Sequence, residues 1–174
     1  RGAVYGFNDD LLRFAFFSRA AVEFMWKSGK HPDVIHCHDW QAGLVPYFLT
    51  KYPHRYQSLR RSATIFTIHN LTFQSGKNWW AVPKRLRDDG KCDPLRHPSK
   101  IRYLNFTKRG ILYADTINTV SERYAEEILT PEYGQGLDKC LRARKSSLHG
   151  IINGIDYTIH NPAFDAHIRY KYDW

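Results

Sequence analysis

The chain has 174 residues, 43% of them hydrophobic and 25% charged, and a formal net charge of +9 at pH 7. That length fits one domain or a large piece of one, with enough apolar side chains for a real core, and no apolar run approaches the roughly 20 residues that a membrane span needs. The positive charge gathers in residues 84–102 and 141–145 and at Arg60-Arg61; it suits an anionic partner or a solvated basic surface, but no aromatic RNA-binding motif or helix-turn-helix signature argues for nucleic acid.

The opening RGAVYGFNDD has the pattern of neither a signal peptide nor a transit peptide and lacks an initiator Met, so a piece cut from a longer chain is expected. Asn8 or Asp9 can cap a helix running to about Ser28, with Leu11, Phe14, Ala21, Val22 and Met25 on one face and Arg19, Glu23 and Lys27 as a charge-paired stripe. Gly29 and Pro32 end it. Residues 34–37, Val-Ile-His-Cys, are short and mostly apolar, the pattern of a strand buried on both faces. His38-Asp39-Trp40 then sets a base, an acid and a large aromatic where that strand ends. Residues 41–52 read as a helix with Leu44, Val45, Phe48 and Leu49 inward.

A basic, turn-rich connector leads to a second strand, Ala63-Thr64-Ile65-Phe66-Thr67-Ile68, ending in His69-Asn70. Residues 72–100 hold Pro83, Pro94 and Pro98 and many charges; they are expected to form a long excursion with one short helix near residues 79–86. A helix over 101–113 precedes a third strand at 115–120, after which Ser121 caps a helix that ends at Pro131. A flexible turn at Tyr133-Gly134-Gln135-Gly136, a basic helix over 137–145, a fourth strand at 149–152 and a final helix within 157–174 complete the reading.

Helices alternating with strands in this way predict an α/β fold, a doubly wound, mostly parallel sheet with helices on both faces. Parallel strands share a direction, so His38 and Asp39, His69 and Asn70, Ser121, and Asn153 should gather along one rim, where open sheets bind ligands. Alternate His36 and His38 beside Asp39 raise a zinc reading, but His69 and His149 come only from separate strand ends. The metal reading is therefore set aside in favour of a satisfied buried His36. Gly150 to Gly154 lacks the third glycine of a dinucleotide fingerprint. Trp79-Trp80 reads as packing rather than as a sugar platform, and no Ser or Cys nucleophile motif occurs. Cys37, Cys92 and Cys140 have no metal-ligand spacing, which points to structural thiols in a reducing compartment.

His38-Asp39-Trp40-Gln41-Ala42-Gly43 resembles the H-D-W-x-A-G segment of bacterial glycogen synthases and plant starch synthases. Further segments are similar in the same order: Arg13-Phe14-Ala15 with Glu23; Thr67-Ile68-His69-Asn70-Leu71; KRGILYAD at 108–115 running into Thr119-Val120-Ser121; Thr130 to Gly134 with Gly136-Leu137; and Ile152-Asn153-Gly154-Ile155-Asp156 with Asn161-Pro162. The departures are His160 for a Trp, Phe164 for a Thr, and Gln74-Ser75-Gly76 for a Gln-Gly pair. The resemblance implies that residues 1–174 are part of the N-terminal Rossmann-like domain of a GT-B glycosyltransferase, with a lysine–glycine donor loop upstream and a nucleotide-sugar domain downstream.

It also implies a parent enzyme that moves glucose from ADP-glucose to the non-reducing end of an α-1,4-glucan with retention, without metal or cofactor, and without a nucleic-acid or membrane partner. The matching positions make Asp39 and His69 catalytic and Asn70 and Asn153 substrate-binding. The diphosphate contacts would lie in the missing C-terminal domain, so the isolated chain is expected to be inactive. Localisation would be cytoplasmic in a bacterium and plastid in a plant or alga. Two rivals stay open: a related glycosyltransferase with another donor, and a non-catalytic glucan-binding fragment.

Overall fold

The computed structural model describes residues 2–90 and 98–173. Cys92 and Pro94 lie outside the described residues. Helix α1 spans Asp10–Lys27, and its entry is tied by Asp10 rather than by Asn8 or Asp9. The Asp10 carboxylate accepts from the backbone N–H groups of Gly6 at 2.6 Å and Phe7 at 3.0 Å, and from Arg13 Nη1 at 2.7 Å. Strand β1 is Val34–His38. The helix expected after it is two, α2 (Asp39–Ala42) and α3 (Leu44–Lys51). The break falls at Gly43, where a Cβ would collide with the Phe106 carbonyl oxygen, so only glycine lets the two segments pass this close to the later helix.

Strand β2 is Ala63–Ile68, α4 Phe106–Tyr113, β3 Thr116–Thr119, α5 Glu122–Glu127, α6 Asp138–Ala143 and β4 Leu148–Gly150. Asn105 caps α4 by accepting from Lys108 N at 2.8 Å, and Ser121 caps α5 by accepting from Tyr124 N at 3.2 Å, as its sequence position predicts. The four strands pair in parallel in the order β1-β2-β3-β4. Right-handed crossovers between strands that advance in one direction put all the connecting helices on one face. The described residues therefore form one wing of an open, doubly wound sheet, with helical cover on a single face.

That geometry corrects the reading of β1. Its burial alternates: Ile35 and Cys37 are buried towards the helices, while Val34, His36 and His38 are exposed on the other face. His36 is thus satisfied but not buried. The core is built from Ile35, Cys37, Phe66, Ile68 and Ile117 on the sheet against Leu44, Phe48, Phe106 and Ile111 on the helices. Each such side chain contributes roughly 1.5–3 kcal/mol through burial. Helix α4 lies so close to β2 that a Cβ on Gly110 would come within 2.5 Å of the Phe66 ring.

The described part of the excursion, residues 72–90, is held by specific contacts. Asp88 and Arg109 form a fully buried bidentate pair, with Arg109 Nε on Oδ2 and Nη2 on Oδ1, both at 2.7 Å. The short helix expected near residues 79–86 is two 3₁₀ turns, Trp79–Ala81 and Lys84–Leu86. Part of the basic charge is likewise structural: Arg144 donates to the carbonyls of Ile111, Leu112, Ala114 and Asp115 and closes the C-terminal end of α4. Beyond β4, residues 151–173 form turns without a helix, against the expectation of a final one, and Ile151, Ile152, Ile155, Tyr157 and Phe164 are exposed.

Candidate active site

The carboxyl ends of β1 and β2 are joined through side chains. Where β1 passes into α2, Asp39 takes a left-handed backbone with φ of 53°. This conformation costs a non-glycine residue on the order of 1–3 kcal/mol, and Asp is among the residues that tolerate it. The turn brings Asp39 Oδ1 to 2.9 Å from the backbone N–H of His69, which donates to it. Two predicted site residues from adjacent strands are therefore in direct contact. Asn70, next along, accepts from Thr72 N at 2.9 Å through Oδ1, which leaves its amide N–H groups as the donors to offer a ligand.

A row of polar rings and hydroxyls crosses the uncovered face of the sheet just behind this rim. His38 Nδ1 lies 3.0 Å from His69 Nε2, and the His36 and His38 rings lie with centroids 4.1 Å apart. His36 Nε2 lies 2.6 Å from Thr67 Oγ1, which donates to Asn118 Oδ1 at 2.5 Å. The single hydroxyl proton of Thr67 is used on Asn118, so His36 must donate to Thr67 from Nε2. Partial desolvation of the otherwise exposed His38 ring lowers its pKa, and the neighbouring His36 and His69 add to that while Asp39 opposes it. Burial pushes the Cys37 thiol, on the opposite face, up to about 12, which makes it an inert core group. No group of three or more His, Cys, Asp or Glu side chains among the described residues is set to hold a metal ion.

Two clefts flank the rim. One of about 450 Å³ is lined by Tyr5, Asp39, Trp40, Asn70, Phe73 and Lys77, among others. The second, of about 400 Å³, is lined by His69, Asn70, Tyr124, Tyr133 and Gln135, among others. Asn70 belongs to both. An aromatic and aliphatic lining with a few convergent polar groups is what a sugar-sized ligand requires. Asn153 is exposed beyond β4 and is not among the residues that line these two clefts. Strand β4 ends at Gly150, three residues before Asn153.

Several residues that build the site have no functional reading in the sequence. Buried Gln74 accepts from Trp79 Nε1 at 3.1 Å and from Asn105 Nδ2 at 2.5 Å, and donates to the Gln135 carbonyl at 2.9 Å, so it fixes the turn that walls the second cleft. Gln135 and Gly136 in that turn both have positive φ, 49° and 78°. The Tyr124 hydroxyl accepts from Leu71 N at 3.1 Å and ties α5 to the segment after β2. The sequence carries no mark of this role for Tyr124, because helical periodicity reports the ring and not the hydroxyl.

The chain is similar to known proteins along most of its length. The family model described as the starch synthase catalytic domain matches residues 1–143. Glycogen synthase 2 of Methylococcus capsulatus is 44% identical over 172 residues, which cover 97% of this chain and 35% of that protein. Glycogen synthase of Moorella thermoacetica is 41% identical over 177 residues, 99% of this chain and 35% of that protein. Among solved structures, the catalytic domain of starch synthase IV from Arabidopsis thaliana bound to ADP and acarbose superposes with a TM-score of 0.75 at 34% identity, covering 99% of this chain and 36% of that one. The chain thus spans about a third of the length of the relatives it matches.

Proposed function

This chain belongs to the starch synthase catalytic-domain family, and from that premise we propose that the protein it forms part of is a retaining glucosyltransferase of glucan synthesis. The donor is ADP-glucose and the acceptor is the 4-hydroxyl at the non-reducing end of an α-1,4-glucan. Residues 1–174 supply part of the N-terminal domain of a two-domain GT-B enzyme, and the diphosphate contacts come from outside them. No metal and no cofactor beyond the nucleotide sugar takes part, and the partners are neither nucleic acid nor membrane. No helix among the described residues is long and apolar enough to cross a bilayer. The reading puts the enzyme in the cytoplasm if its source is bacterial and in the plastid if it is a plant or an alga.

The observation that carries this reading is the Asp39–His69 contact at the ends of adjacent strands, between two clefts. Transfer of a glucosyl group develops positive charge on the sugar while the diphosphate departs, and fixed charges and dipoles aimed at those atoms are usually the largest catalytic contribution. One oxygen of the Asp39 carboxylate is engaged by His69 N–H, which fixes its plane and directs the other at sugar hydroxyls near the reacting carbon. His69 holds the glucosyl unit, through its ring to the 6-hydroxyl and through its backbone carbonyl. Asn70 donates from its amide. The apolar walls, Trp40 and Phe73, exclude water that would otherwise take the glucosyl group.

The test is transfer of labelled glucose to glycogen by the full-length protein, with ADP-glucose and UDP-glucose as competing donors. Incorporation from ADP-glucose at roughly 1–10³ per second supports the reading. Transfer from UDP-glucose alone replaces the donor, and no transfer from either refutes it. The 174 residues alone should show no turnover, because the groups that stabilise the leaving diphosphate are not among them.

A further inference from the structure

The rim contains one histidine with no part in the reading above. His38 lines neither cleft, yet its Nδ1 meets the His69 ring at Nε2, 3.0 Å away. We propose that His38 is a positioning residue for the transfer reaction, holding His69 by Nε2 so that the two imidazoles share one proton and His69 turns Nδ1–H to the sugar. This rests on the functional reading given above.

The argument is proton counting. A contact of 3.0 Å between two ring nitrogens has room for one hydrogen. The neutral pair holds two protons, one of them in the contact. A third proton fills the remaining outer nitrogen, so in the singly charged pair Nδ1 of His69 carries a hydrogen whichever ring owns the shared one. A fourth proton would force two hydrogens into the same contact and break it. The contact can therefore accommodate at most one extra proton, and the protonation of the two rings is coupled through it.

The rest of the row supports that arrangement. His36 donates from Nε2 to Thr67, and its ring packs against the His38 ring with centroids 4.1 Å apart, which limits rotation of His38. In the sheet register His38 stands opposite Thr67, Thr67 opposite Asn118, and Asn118 opposite His149. The titratable and charged groups facing the pair are Asp39, whose carboxylate favours the cation, and His36, which opposes it. His149 stands further along the row, and Asp10 and Lys77 stand in the cleft that Asp39 lines.

The experiment is a pH titration of the full-length protein labelled at histidine Cε1, followed by NMR, beside pH profiles of kcat and KM. Three forms are compared: unaltered, His38→Phe, and His38→Asn. Phe keeps a ring against His36 but offers no nitrogen, whereas Asn places an amide near the former Nδ1 and cannot titrate. Unaltered protein should show His69 responding in two steps more than about one pH unit apart. Both variants should show a single step. Turnover should fall about tenfold in His38→Phe, the weight of one lost hydrogen bond, with KM for the acceptor unmoved, and should recover in His38→Asn. His38 is exposed, so both variants should melt with the unaltered protein. A single His69 step in unaltered protein overturns the shared proton, and unchanged turnover and pH profile in His38→Phe overturn the positioning role. If no form transfers glucose from any donor, the functional reading fails and takes the positioning role with it, while the NMR titration separately decides the shared proton.

Discussion

Breaking the Asp88–Arg109 pair should be among the most damaging single changes in this chain. The two side chains are 0% and 1% exposed and meet through two parallel hydrogen bonds of 2.7 Å. Burial alone would lower the pKa of Arg109, but the Asp88 hydrogen bonds and charge outweigh it and raise it. Asp88→Asn keeps the shape and removes the carboxylate charge that the buried guanidinium faces across two hydrogen bonds. Such a break costs about 3–5 kcal/mol, because the remaining charge retains its full desolvation penalty. Arg109→Met should cost as much, by leaving the buried carboxylate with only the backbone N–H groups of Gly90 and Asn105 and no facing cation.

The double variant, Asp88→Asn with Arg109→Met, should be milder than either single one. The introduced amide can still accept from Gly90 N, which donates to the Asp88 carboxylate at 2.8 Å in the present structure. The introduced thioether can keep the packing over the Tyr47 ring that the Arg109 guanidinium makes at 4.9 Å. Urea unfolding followed by tryptophan fluorescence gives the three free energies, and unchanged slopes would show that the unfolded state is the same. Losses below about 1 kcal/mol in the single variants would mean that the pair behaves like an exposed one, and additive losses in the double variant would mean that the charges do not act together. Either result would refute the view that the excursion is anchored at this point.

Glu23 and Cys37 give two further tests. Burial raises the Glu23 pKa, but the hydrogen bonds from Tyr56 and Arg19 and the charges of Arg19 and Arg55 outweigh it and leave the pKa below its usual 4.5. The stability Glu23 contributes is therefore complete above about that pH and is lost as pH falls through the lower folded value. Glu23→Gln should differ most from the unaltered protein at neutral pH and converge with it in acid; a pH-independent difference would disprove the assignment. Cys37, held at about 12 by burial, should stay unmodified by iodoacetamide near pH 8.5 until the protein is unfolded in urea, and labelling at the rate of a free thiol would show that β1 is open to solvent.

What the sequence made legible follows from the range of each interaction. The strand ends could be read because β-branched and aromatic runs stop at polar pairs, and parallel pairing then forces His38, Asp39, His69 and Asn70 onto one rim. The caps Asn105 and Ser121 are local, and Ser121 was found from its spacing alone. What escaped depends on contacts between distant residues. Gly43 breaks a helix because Phe106, more than sixty positions later, passes across it. The excursion looked loose because neither Asp88 nor Arg109 carries a mark of its partner. The exposure of His36 depends on which face the crossovers cover, and short apolar runs do not report that. Asn153 stands three residues past the end of β4, and a short apolar run does not report where such a strand stops.

The central claim is that the Asp39 carboxylate acts on the sugar and does not merely brace a turn. Asp39→Asn separates the two, since Asn also tolerates the left-handed backbone and its Oδ1 can still accept from His69 N–H. Turnover and Tm should be measured on the same preparation of the full-length protein, together with affinity for ADP. The account predicts turnover lower by about 10²–10³, or about 2.7–4 kcal/mol, with Tm and ADP affinity unchanged. A lowered Tm with normal turnover in the molecules that remain folded would contradict it.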